Sequence, residues 1–127
     1  MSARLERAGE FVDACEAALD AAGVAGVTVT TNGLKVPAAS RIRNGGGVVI
    51  RPPSLTFSTW GADPEAEWTV VLVSGPANDP VAAWARLDDM IAALAPALAV
   101  TRAEPDSWLP RDSKEQSLPA YVLTIND

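Results

Sequence analysis

The chain has 127 residues, 48% of them apolar and 20% charged, a balance that supports one hydrophobic core and excludes a disordered polypeptide. Its net charge of -6 excludes a protein that grips nucleic acid by neutralising phosphates, which takes a surplus of Lys and Arg. The lack of histidine and the lone cysteine, Cys15, exclude an internal disulfide, a structural zinc site and the usual histidine-based catalytic sets.

Taken in chain order, the opening "MSARLERAGEF" is broken by charges and lacks the apolar centre of a secretory signal. From Ala3 to about Ala22 the residues Leu5, Ala8, Val12, Cys15, Leu19 and Ala22 step by three and four, which predicts a helix with one apolar stripe. Gly23 and Gly26 suit its C-terminal cap. Cys15 lies on the stripe and reads as a small core residue. "VTVTTNGLKV" alternates on both sides of Asn32-Gly33, the pattern of a β-hairpin closed by a type I′ turn. Pro37 to Gly47 then reads as a long loop carrying Arg41 and Arg43.

"VVIRPPSLTFSTW" is expected to form two short strands broken at Pro52-Pro53, because proline cannot donate to a strand ladder. "EWTVVLVSG" is almost continuously apolar and predicts a central strand covered on both faces. A second helix follows, with Asp79 as its cap, Pro80 in its first turn and Trp84, Leu87, Ile91, Leu94 and Leu98 along one face. "AVTRAEPDSW" reads as a strand running into Pro105, and "AYVLTIND" as a paired final strand. The longest apolar run, "AALAPALAV", falls far short of the roughly 20 residues that span a bilayer. The expectation is a single α+β domain over residues 1–127, made inside a cell without a membrane role. Its mainly antiparallel sheet has two helices packed on one face and is extended by a β-hairpin and a long loop.

No catalytic, cofactor or metal site emerges. Asp88 and Asp89 are adjacent on the second helix, so their side chains diverge by roughly 100° and read as solvated surface charges. "RNGGGVVIR" lacks the strand before and the Lys-Ser or Lys-Thr after that a phosphate-binding loop requires. It reads instead as an arm whose arginines, with Arg51 beyond the strand, face a partner's carboxylates or passing phosphates. Of four tryptophans, Trp68 and Trp84 sit on core patterns, whereas Trp60 and Trp108 fall in loops, where amphipathic aromatics serve either as interface anchors or in local packing. Arg41, Arg43, Arg51, Trp60 and Trp108 are therefore the candidate contacts to another subunit or partner.

Several stretches carry a resemblance. The N-terminal helix, "IRPPSLTF", "WTVVLVSGPANDPVAAWARLDDMIAALAPAL", "VTRAEPDSW" and "LPAYVLTIND", in that order, resemble the tail terminator proteins of long-tailed bacteriophages, particularly those of actinobacterial hosts. The resemblance covers nearly the whole chain but rests on strand and helix patterns rather than a chemical signature. It implies a non-enzymatic virion protein at the head-proximal end of the tail. There it would form a homo-oligomeric ring, expected to be a hexamer, on the last ring of the major tail tube protein. The ring would stop tube growth and receive the head-tail connector or stopper protein, with genomic DNA passing the lumen without specific binding. Another neck component, either a head-tail connector or a tail completion protein, is the nearest alternative. A small cytoplasmic ligand-binding or enzymatic α+β domain is the alternative from a different class.

Overall fold

Alanine, leucine and glutamate give the first segment high helix propensity, and it forms α1, Ala3–Ala21. The computed structural model describes residues 3–31, 46–57, 64–75, 79–108 and 118–126, with Trp108 described by its backbone alone. The buried face of α1 is Ala8, Phe11, Cys15 and Leu19. This corrects the expected stripe: Leu5 is 64% exposed, Ala22 is exposed and Val12 only partly buried. Phe11 and Val12 are one helical step apart, and the larger ring takes the inward position. It meets Trp68 edge-on with ring centroids 5.0 Å apart, a geometry that adds to its burial. The Arg7 guanidinium lies 4.5 Å from the centroid of the same ring and pairs with Glu10 at 2.7 Å.

The helix ends in a Schellman motif. Val24 N–H donates to the Leu19 carbonyl at 2.9 Å, Gly23 N–H donates to that of Asp20 at 3.1 Å, and Gly23 takes the required φ of 73°.

Among the described residues six strands follow, four before the second helix and two after it. They are β1 (Val27–Thr30), β2 (Gly46–Ile50), β3 (Ser54–Thr56), β4 (Glu65–Ser74), β5 (Arg102–Trp108) and β6 (Leu118–Asn126). The sheet order is β1-β2-β4-β6-β5, with β3 paired to the start of β4. Every pairing is antiparallel except β1 with β2. The break between β2 and β3 falls on Pro52-Pro53. The expected partner of β1 across Asn32-Gly33 lies outside the described residues.

Two boundaries differ from expectation. Gly46 and Gly47 belong to β2 and are buried, so the loop read up to Gly47 ends sooner. The cause is close approach of backbones: a Cβ on Gly46 would fall within contact distance of the Val73 carbonyl oxygen, and 3.2 and 3.3 Å from the Val73 carbonyl carbon and Ser74 Cα. Gly46→Ala is therefore expected to force β2 away from β4, at a cost of about 1 to 3 kcal/mol. A denaturant midpoint unchanged from the parent would contradict that packing. The other difference is β5, which continues through Pro105 to Trp108; among the described residues it stands at the end of the sheet with β6 as its strand partner, a place that tolerates proline.

The second helix, α2, spans Pro80–Leu98 with Asp79 as its cap, the Ala82 N–H donating to Asp79 Oδ1 at 3.1 Å. Pro96 is tolerated in the last turn, and the helix stops at Ala99 in the left-handed region, φ 54°. Its buried face is Ala83, Leu87, Met90, Leu94 and Leu98, with Ile91 partly buried. Here too the stripe is one step away from the expected one: Trp84 is 56% exposed rather than in the core.

Both helices cover one face of the sheet. The main core joins them to Val48, Ile50, Trp68, Val70, Leu72, Leu123 and Ile125. A smaller cluster, Val49, Val71, Val73, Leu118 and Ala120, is buried on the opposite face. The central strand β4 is accordingly buried on both faces, as its continuous apolar run predicts.

Candidate functional site

Among the described residues, no three His, Cys, Asp or Glu side chains converge in the manner of a metal site. Nor is any described helix long and apolar enough to cross a membrane. Cys15 is fully buried, and its thiol is pushed up to about 12, first by desolvation and then by the charge of neighbouring Glu16. It stays protonated near neutral pH, which suits a packing role rather than nucleophilic chemistry. Trp68 is also a core residue, 2% exposed, with its indole N–H buried and lacking a hydrogen-bond partner.

Of the five residues singled out from the sequence, Arg41, Arg43 and Trp60 lie outside the described residues. Arg51 is exposed just past β2, where its backbone N–H donates to the Thr69 carbonyl at 3.1 Å. Trp108 ends β5, its backbone paired with Leu118. The pairing register places these two apart. Arg51 adjoins the row Thr69, Thr124, Arg102, and Trp108 lies six residues farther along β5, roughly 20 Å at strand rise. They do not form one patch.

Other exposed features went unassigned in the sequence. On α2, Trp84 and Val81 are three residues apart and 56% and 75% exposed, so they share one outward face. Phe57, just beyond β3, is 75% exposed. The clearest feature is β5 itself. Every residue from Thr101 to Ser107 is exposed, on both faces of the sheet, although the strand is paired along its whole length with β6. On the face away from the helices it carries Arg102, Glu104 and Asp106, and Arg102 contacts Glu104 at 3.1 Å. On the helix side it offers only Ala103, Pro105 and Ser107.

At the other end of the sheet, β1 has β2 as its one strand partner among the described residues. A groove of about 480 Å³ runs between it and α1, lined by Glu16, Ala17, Leu19 and Asp20 above and Val27 and Val29 below. A second, broader trough of about 980 Å³ lies between the turn after α1 and the side of α2. Its walls are mostly alanine and glycine, and Arg86 crosses it to donate to the Ala25 carbonyl at 3.3 Å. That bond ties α2 to the turn. The trough offers little chemistry by which a small molecule would be recognised.

No protein-family model matches the chain, and no curated protein matches it.

Proposed function

We propose that the chain is a structural virion protein, the tail terminator of a long-tailed bacteriophage. In this role it acts as a ring, expected to be hexameric, that caps the tube of major tail protein and presents a surface to the head-tail connector. The resemblance of the ordered stretches from "IRPPSLTF" to "LPAYVLTIND" carries the proposal. The fold is compatible with it, being an α+β subunit with two helices on one face of a mainly antiparallel sheet, whose terminal strand β5 is exposed from Arg102 to Ser107. A net charge of -6 also limits adhesion of DNA moving past the assembled protein.

The reading makes a direct biochemical demand. Purified protein added in small molar proportion to polymerising tail tube protein is expected to stop elongation and to be seen at tube ends by electron microscopy. Tubes of unchanged length at every ratio, with no protein at their ends, would contradict it.

A further inference from the structure

Along the whole of α2 the only charged residues are Arg86, Asp88 and Asp89, and the rest of the helix is apolar on every side. A helix of that composition belongs in an interior, yet one side of α2 faces solvent. Over its first two turns that side is Val81, Ala82, Trp84 and Ala85, all exposed. The solvent side of α1 is of the opposite kind, with Glu6, Glu10, Asp13, Glu16 and Asp20. The other exposed element, β5, is guarded against pairing, because Pro105 has no N–H and the Ser107 N–H donates to the Asp106 carboxylate at 2.8 Å.

The two flanks of the apolar side of α2 differ in shape. Trp84 stands out from one of them, with Val81 three residues before it and Asp88 one turn after. The other flank is concave, being the wall of the 980 Å³ trough between α2 and the turn after α1. Ala25, Ala82 and Ala85 are exposed there, and Arg86 crosses it to the Ala25 carbonyl. Among the described residues Arg86 pairs with no carboxylate, which leaves its guanidinium plane to an aromatic face. An indole seated in the trough would bury on the order of 200 Å² of apolar surface. Trp84 and Asp89, in the middle of the trough wall, are five residues apart and point roughly 140° from each other around the helix axis. One neighbour cannot meet both. A copy whose Trp84 fills the trough of a second therefore keeps its own trough for a third, and such heterologous contacts close into rings when the rotation allows.

We propose that copies of this chain join head to tail through α2, Trp84 and Val81 of one subunit entering the alanine-walled trough of the next, with the indole stacked on Arg86. The contact deepens the ring reading and rests on it for closure. It covers the apolar side of α2 without using an edge strand.

The test uses two variants of the full chain. Trp84→Ala removes the projecting group. Ala82→Glu places a carboxylate on the trough wall, in the first turn of α2 where the helix N-terminus favours it, so that docking would bury it beneath an indole. Self-association is followed by sedimentation over a concentration series and by electron microscopy on tail tube ends. Each variant alone is expected to associate at least about tenfold more weakly than the parent, with an unchanged unfolding midpoint. Mixed, the two are expected to form a one-to-one heterodimer of parental affinity and nothing longer, because Trp84 of the Ala82→Glu chain has the intact trough of the Trp84→Ala chain to enter and neither has a second junction. Variants that assemble as the parent does, or a mixture without heterodimer, would overturn the α2 contact and leave the ring reading standing. A parent that stays monomeric at every concentration and sits on tube ends as single copies would overturn the contact and the ring together. Parent rings held by this contact that never arrest tube growth would leave the contact and overturn the terminator role.

Discussion

Leu94→Ala is expected to lower the unfolding free energy by about 2 to 5 kcal/mol, the range for deleting a large buried aliphatic side chain. Leu94 is fully buried on the inner face of α2, within the cluster that joins both helices to Val70, Leu72 and Leu123. Removing its isobutyl group loses the transfer free energy of the missing atoms and leaves a cavity lined by residues from three elements. Such a cavity relaxes poorly, because strands and helices fixed by their own hydrogen bonds cannot all move inward together. Leu87→Ala is expected to behave alike, since Leu87 is 1% exposed on the same face. Trp84→Ala is the informative companion: with its side chain mostly in solvent, the change is expected to stay within about 0.5 kcal/mol. Equilibrium unfolding in denaturant measures all three. A loss at Trp84 equal to that at Leu94 would mean that α2 presents a different face to the sheet.

That comparison also marks how far the amino-acid order can be read. Two stripes compete on α2, Ala83-Leu87-Met90-Leu94-Leu98 and Trp84-Leu87-Ile91-Leu94-Leu98, and both satisfy helical spacing. They share three leucines and differ by one step at two places, so periodicity predicts the helix and leaves its rotation undetermined. Bulk favours Trp84 and Ile91 when the sequence is read alone. The folded chain instead brings Ala83 and Met90 against the sheet, where a small residue and a flexible one fit. The same degeneracy separates Phe11 from Val12 on α1.

Local chemistry was read more securely. Asp79 caps α2, Gly23 ends α1, and Pro52-Pro53 separates β2 from β3, because each depends on a property of one or two residues. The mainly antiparallel sheet with two helices on one face followed from the order of elements. Its strand order did not, since it depends on long-range pairing for which no residue carries a local mark. The glycines at 46 and 47 illustrate the difference. Composition suggests a loop, whereas the strand needs Gly46 because a neighbouring backbone comes too close for a side chain.

The candidate site was legible only in part for the same reason. Arginines and loop tryptophans can be picked out by type, and Trp108 does end the strand whose exposure on both faces draws attention. That β5 stands at the end of the sheet among the described residues becomes visible only with the topology. The exposed Trp84 was concealed by the competing stripe.

The measurement that bears most directly on the proposed role is the tail-length distribution of the phage after removal of this gene. A tube of identical rings has no internal reason to stop at one end, since each added ring recreates the surface that bound it. A terminator ends growth by binding that surface while offering a different one to the next component. Loss of the protein is therefore expected to produce tubes of broad, abnormal length that fail to join filled heads, and expression of the intact chain in trans is expected to restore both length and joining. Tails of normal length attached to filled heads in its absence would contradict the account.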